Sequence, residues 1–344
     1  MNFIIGGGVH EHGRNCFYVE ADVNYIVDCG VMKGVRNTYP KLPADKIAAA
    51  EYLFLTHSHE DHIGAFGWLL SKGFKGKVIA SAKTLEAISG YDNVFALPDG
   101  GNSAIFGDLT VQYGRSGHCT GSLWYYIKTA DSEILFSGDY CENSCYNVDK
   151  IQNYSADIAV LDCAFGYFGY NRAVQEMRIS EFAESVLKTG NLLLPVPKNG
   201  RAVDLIYLLR NMDCNISVDE KLRLTFCELA KGDYWLPEDI SAAVDKCLYR
   251  DVRYGKPTVF LIADAQLSSC EGRQAADSVI KSGGSVLFTG HADNGGEAYR
   301  LISCGAGKVI PYNAHMSKLD ADYVAGRNKF EKIIYFHGDD KKQT

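Results

Sequence analysis

Residues 52–65, YLFLTHSHEDHIGA, constrain this chain more than any other stretch, because an apolar run there ends in five metal-capable side chains within six positions. Tyr52, Leu53, Phe54 and Leu55 read as a buried strand, and Ile63, Phe66, Leu69 and Leu70 recur at helical spacing up to a stop at Gly73. The cluster therefore belongs on a strand-to-helix turn. Imidazole nitrogen and carboxylate oxygen are the usual ligands of a hydrolytic zinc. His57 and His59, two apart in an extended turn, can point toward one ion. Asp61 and His62 fall where the helix begins and can face a neighbouring ion. Four ligands on one loop cannot complete two metal shells, so the cluster predicts more ligands further along.

Composition narrows the setting. At 344 residues the chain is long for one core and suggests one large domain or two. A hydrophobic share of 47% and a charged share of 22% are those of a soluble globular protein. No apolar run approaches the ~20 residues needed to span a bilayer, so a soluble, cytoplasmic protein with no membrane association is expected. Eleven cysteines, an odd count scattered through apolar stretches, fit free thiols in a reducing compartment. The formal charge of −7 argues against non-specific coating of nucleic acid and leaves room for a local basic groove.

Along the chain, titratable side chains recur at the ends of strand-like runs. LTVQYG leads to His118 between glycines, and EILFSGD ends on Asp139, which either caps a turn or bridges metals. Ile158 to Leu161 runs into Asp162, Ser285 to Thr289 into His291, Lys308 to Tyr312 toward His315, and Lys332 to Phe336 into His337. Carboxyl ends of strands are where α/β folds place their sites. His10 and His12 read as surface or supporting histidines, and residues 92–108 as loop-rich. From 171 onward the texture changes to alternating helices and strands, beginning with a helix over 171–189 that puts Ile179, Phe182, Ala183, Val186 and Leu187 on one face. This alternation describes a second α/β domain inserted into the first.

These pieces together resemble the β-CASP branch of the metallo-β-lactamase superfamily, which includes ribonuclease J and cleavage-and-polyadenylation endonucleases. HSHEDH resembles the HxHxDH signature, GGVHEHGRN the opening turn, SGHCTGS and FSGD the third and fourth motifs, VLDCAFG motif A, LLPVPKNGRAVDLI the start of the inserted domain, YNAHMS motif B and YFHGDD motif C. The resemblance implies an α/β fold, a metallo-β-lactamase αββα sandwich (1–170 and 300–344) carrying an inserted β-CASP domain (171–299). It also implies two Zn2+ ions, with Mn2+ as an alternative. His57, His59 and His118 would hold one, Asp61, His62 and His337 the other, and Asp139 would bridge. Asp61 would also orient the attacking hydroxide, His315 would act as general acid, and Asp162 would hold a neighbouring imidazole in its required tautomer. CAFGYFGY and GHADNGGEAYR depart from the family pattern. The second departure places His291 where an aromatic is common.

The function implied is a metal-dependent phosphodiesterase, a ribonuclease cleaving single-stranded RNA, since a histidine at motif C goes with RNA-processing members. Lys198, Arg201, Ser268, Ser269 and Arg273 in turns of the inserted domain, with His291, are candidates to meet backbone phosphates. The alternative keeps the metals and changes the substrate, to DNA or to a small ester or lactone. A non-catalytic scaffold ranks last, because the full ligand set is retained. A homodimer is compatible with this reading.

Overall fold

The computed structural model describes residues 1–166, 171–229, 234–248 and 253–338. The chain divides into two compact units, one of residues 1–142, 147–169 and 315–344, the other of 143–146 and 170–314. The expected boundary at 300 is therefore too early. Residues 300–314 stay with the second unit because the short strand Gly307–Val309 pairs there in parallel with Ser285–Phe288.

In chain order the first unit builds β1 (Asn2–Gly7), β2 (Cys16–Glu20), β3 (Tyr25–Val27), α1 (Ala44–Ala49), β4 (Tyr52–Phe54), α2 (Glu60–Ile63), α3 (Phe66–Ser71), β5 (Lys77–Ser81), α4 (Ala82–Leu85), β6 (Val94–Leu97), β7 (Ser103–Phe106), β8 (Leu109–Arg115), β9 (Leu123–Lys128), β10 (Glu133–Phe136) and β11 (Ser155–Asp162). The second unit builds α5 (Arg172–Leu187), β12 (Leu192–Pro195), α6 (Ala202–Leu209), β13 (Asn215–Val218), α7 (Glu220–Leu229), α8 (Glu238–Leu248), β14 (Thr258–Ile262), α9 (Cys270–Lys281), β15 (Ser285–Phe288), α10 (Glu297–Ser303) and β16 (Gly307–Val309). The chain then returns to the first unit with α11 (Lys318–Gly326) and β17 (Lys329–Phe336).

Two six-stranded sheets form the first unit, in the orders β1-β2-β3-β4-β5-β6 and β17-β11-β10-β9-β8-β7. Successive side chains of a strand face opposite sides of its sheet, and β4 shows the consequence. Phe54 points between the sheets, 5.5 Å from Tyr125, beside the Phe17–Phe136 pair at 6.0 Å. Leu53 points the other way, into an outer core with Ile47 of α1 and Phe66 and Leu69 of α3. On the second sheet the outer layer is α11, whose Ala321 and Val324 pack with Ala159 and Leu161. Helix, sheet, sheet and helix layers thus follow one another, with the ends of β4, β8, β10, β11 and β17 gathering the side chains discussed below.

The second unit is a five-stranded sheet, order β13-β14-β12-β15-β16, with every pairing parallel. Leu192, Leu194, Val259, Leu261 and Leu287 serve a core with α5 to α8, and Leu193, Val286 and Phe288 serve one with α9 and α10. Strands apolar on both faces are what a sheet covered on both sides requires. Among the described residues no helix is long and apolar enough to cross a membrane, and the cysteines form no disulfide.

Three local expectations fail. The helix expected from Ile63 to Gly73 is two short helices, because the Ala65 N–H bonds the Cys29 carbonyl at 2.8 Å instead of continuing the turn. Residues 92–108 are not loop-rich, since β6 and β7 lie there as the last strands of the two sheets. The alternating texture also concealed β13, whose ladder partner is β14, and α7, whose first turn is capped by the Asp219 carboxylate accepting the Leu222 N–H at 2.9 Å. The second half of CAFGYFGY and the end of YFHGDD fall at 167–170 and 339–340, outside the described residues.

Candidate metal centre

The HSHEDH loop leaves β4 and enters α2, and the first residue after the strand run, Thr56, begins the site. Its N–H and hydroxyl both donate to the Asp28 carboxylate at 2.8 Å. The Thr56 hydroxyl oxygen also lies 3.1 Å from His57 Nδ1. With its proton on Nδ1 toward Thr56, His57 turns the Nε2 lone pair inward. The buried Asp28 does the same for His62, accepting at 2.7 Å from Nδ1. A carboxylate or hydroxyl behind a ligating imidazole fixes both tautomer and ring orientation.

The remaining side chains arrive from the other sheet. His118 follows β8 and lies 3.1 Å from His59 Nδ1 through its Nε2. Asp139, fully buried after β10, is 3.3 Å from His57 Nε2, 3.4 Å from His118 Nε2, 3.2 Å from His62 Nε2 and 3.2 Å from His337 Nδ1. His337, at the end of β17, sits 2.9 Å from Asp61. It adopts a left-handed φ of 69°, unusual for a non-glycine residue, and its N–H is tied to the Gly8 carbonyl at 2.7 Å. The glycine turn after β1 therefore backs the site, with His12 6.0 Å from the His337 ring.

Three groups result, with the donor atoms of each lying within 4.8 Å of one another: His57, His59, His118 and Asp139; Asp61, His62 and His337; and Asp139, Asp162, His315 and His337. His57 Nε2, Asp139 Oδ1 and His337 Nδ1 are buried, and although the Asp139 carboxylate comes within 3.3 Å of both nitrogens, none of the three atoms makes an aligned hydrogen bond. Buried polar atoms are normally satisfied, so inward-facing nitrogen and oxygen atoms left without one fit a cation. Burial and the neighbouring His62 push the His57 imidazole down to about 3. Burial lowers His62 and His337 too, but Asp139 with Asp28 and Asp61 outweighs it and holds both well above the usual histidine range. Burial would raise Asp139, and the ring of imidazoles led by His62 and His337 instead keeps it far below the usual carboxylate range. The carboxylates that favour charge on these imidazoles would equally favour a divalent ion among them.

His315 stands at the edge of this group, 15% exposed, with Nδ1 3.2 Å from Asp162 and 3.5 Å from Asp139. Asp162 is held in turn by the backbone N–H groups of Tyr140, Met316 and Ala164 at 3.1, 3.3 and 3.0 Å. The expected residues of the first unit are thus brought together. Those of the second lie on the loops after its strands, except Arg273, expected in a turn but placed in the first turn of α9. Lys198, Ser268 and His291 are exposed. Arg201 donates to the Thr289 carbonyl at 2.5 Å, Ser269 caps α9, and Arg273 donates to the Ser268 carbonyl at 2.5 Å. Sequence reading missed Asp28 and Asn15, whose amide nitrogen is 2.9 Å from His62 Nε2. A lone acid closing the strand-like YIVD was the available signal.

Residues 11–143 match the family described as the metallo-beta-lactamase superfamily. Among curated proteins, the chain is 23% identical over 288 residues to transcription termination factor FttA of Methanothermobacter thermautotrophicus, covering 72% of this chain and 44% of that one. It is 22% identical over 243 residues to endoribonuclease ysh1 of Schizosaccharomyces pombe, covering 61% and 32%, and 25% identical over 236 residues to cleavage and polyadenylation specificity factor 73 of Drosophila melanogaster, covering 59% and 34%. The chain thus spans less than half the length of these relatives. A crystal structure of a protein of unknown function from Enterococcus faecalis shares the fold, with a TM-score of 0.62 at 9% identity, over 99% of this chain and 95% of that one. With its HSHEDH centre on the sandwich and an α/β unit inserted before the last two histidines, the chain is similar to the metallo-beta-lactamase superfamily over residues 11–143 and to these three relatives over 59–72% of its length.

Proposed function

We propose that this protein is a zinc-dependent ribonuclease that hydrolyses phosphodiester bonds of single-stranded RNA. The observation that carries the reading is the shared Asp139, which belongs to two of the three donor groups and approaches four imidazoles. His57, His59 and His118 are assigned to one zinc ion, Asp61, His62 and His337 to a second, and Asp139 to both. Bound there, a pair of zinc or manganese ions supplies Lewis acidity and a hydroxide available near neutral pH.

The chain's own residues supply the rest. Asp61, anchored by His337, orients the nucleophile. His315 gives a proton to the departing ribose oxygen, and Asp162, fixed by three backbone N–H groups, keeps its proton-bearing geometry. Lys198, Arg201, Ser268, Ser269 and His291 are assigned to substrate contacts. Support for RNA over other esters comes from the relatives, two of which are named endoribonuclease or cleavage and polyadenylation factor.

Purified protein is expected to carry two zinc-type ions per chain and to cleave labelled single-stranded RNA in preference to duplex RNA or DNA. His315→Ala should keep the metal and lose at least a hundredfold in kcat, the scale of general acid catalysis. Full activity of that variant, or a chelated protein that turns over as fast as the loaded one, would remove the mechanism. Preference for DNA or for a small ester would remove the substrate assignment alone.

A further inference from the structure

Past Asp28 and Gly30, between β3 and α1, the chain makes a long excursion whose side chains the metal centre does not use. Residues 29–44 contain Lys33, Arg36 and Lys41 and no carboxylate, although acidic residues outnumber basic ones 42 to 35 in the whole chain. All three cations are exposed. The excursion is nonetheless pinned to the site. Val31 donates to the carbonyl of Glu60, which stands between His59 and Asp61, at 3.0 Å, and accepts from the Arg14 N–H at 3.0 Å. Its far side is closed by Met32 N–H to Thr38 O at 2.9 Å, by the Arg14 guanidinium on the Asn37 carbonyl, and by Lys41 N–H to Gly6 O at 2.8 Å. Tyr39 then stacks on Trp68 of α3, centroids 5.4 Å apart and rings within 4° of parallel, while remaining 47% exposed.

A cationic loop is most often a solvated surface. Here three features coincide: a polyanion-attracting charge in an acidic protein, an exposed aromatic ring held flat by a second ring, and a backbone bonded directly to the metal-binding loop. We propose that residues 31–41 form a surface that carries the single strand beside the metal centre, with Arg36, Lys41 and Lys33 on backbone phosphates and the open face of Tyr39 under a base. This assignment rests on the ribonuclease reading above. Lys33 already pairs with Glu60, but both side chains are about two-thirds exposed, and such a pair is weak enough to yield to a phosphate. Base stacking on an aromatic ring and salt-dependent phosphate contact together are how single strands are bound without sequence preference.

The test is binding of a short, phosphorothioate-linked single-stranded RNA to the metal-loaded protein, followed by fluorescence anisotropy across a salt series. R36E/K41E should weaken binding at least tenfold and reduce the slope of log affinity against log salt by about 1.4, at ~0.7 per single-strand phosphate contact. Tyr39→Ala should weaken it about fivefold or more, and Tyr39→Phe should restore it. Lys128→Glu is a single charge reversal outside the loop, at the end of β9, and should leave the slope unchanged. Metal content and melting temperature report folding, and R36Q/K41Q replaces the double variant should it not fold. If wild-type protein binds RNA and R36E/K41E loses no more affinity than Lys128→Glu, the loop assignment is wrong and the ribonuclease reading stands. Should wild-type protein hold its metal and bind no RNA, both fall.

Discussion

Asp28 illustrates how a site depends on a side chain that contacts no substrate. Its carboxylate receives the Thr56 N–H and hydroxyl and the His62 Nδ1–H within 2.8 Å, so it orients two of the histidines at one remove. It adopts a left-handed φ of 59° to do so. Asp28→Asn keeps the size and one acceptor but presents an amide that can no longer take all three donors. Removing such a partner typically costs 10–100-fold in metal affinity, and a competition titration with a chromophoric chelator should show a loss in that range. Wild-type affinity in this variant would mean that the loop backbone alone orients His62. The histidines of HSHEDH were legible because they are local, one strand-to-helix turn long. Asp28 was not, because its partner is 34 residues away and an acid at a strand end is ordinarily a turn cap. Asp162 and His315, 153 apart, became a pair at the sequence level only through family resemblance.

At the level of elements, the loop after β3 and the turn into α2 are packed so tightly that one residue type is required. A Cβ added to Gly30 would lie 1.5 Å from the Asp61 carbonyl oxygen, and the Gly30 N–H is itself bonded to Asn15 O at 2.9 Å. Gly30→Ala must therefore displace the backbone that carries Asp61 and His62. Overpacking of this kind costs about 1–3 kcal/mol, and here the displacement falls on two residues assigned as ligands, so both melting temperature and metal content should drop. Gly67→Ala, with open space around its Cβ and within α3, should leave metal content unchanged and hold or raise the melting temperature, and equal behaviour of the two variants would refute the packing argument. Periodicity found the strands that end in ligands and the long helix α5. It missed the break between α2 and α3, because the competing acceptor for the Ala65 N–H is the Cys29 carbonyl, a partner no local pattern reveals. It also passed over β6 and β7, which have exposed apolar residues such as Phe95 and Ile105 and so lack the clean alternation of a half-buried strand.

On the scale of the whole chain, the first unit is assembled from pieces that the inserted unit separates. His57 and His337 are 337 − 57 = 280 residues apart in sequence, and β17 reaches β11 only after the second unit has been made, pairing with it from Ser155↔Lys329 to Asp162↔Phe336. Contacts of such sequence separation are entropically expensive to close. A divalent ion held by His62 and Asp61 from the N-terminal piece and His337 from the C-terminal one would bind the folded arrangement and not the unfolded chain, and so stabilise it by mass action, about 4 kcal/mol at a thousandfold excess over its dissociation constant. Calorimetry of metal-loaded and chelated protein should accordingly show a melting transition that rises with free zinc. His337→Ala should shrink that rise, because it removes the one imidazole ligand assigned from the C-terminal piece. A chelated protein melting at the same temperature as the loaded one would show that β11–β17 pairing closes the unit without help from the site. Metal-dependent melting that His337→Ala leaves intact would move the stabilising ion to the His57, His59 and His118 group, where all three imidazoles come from the N-terminal piece.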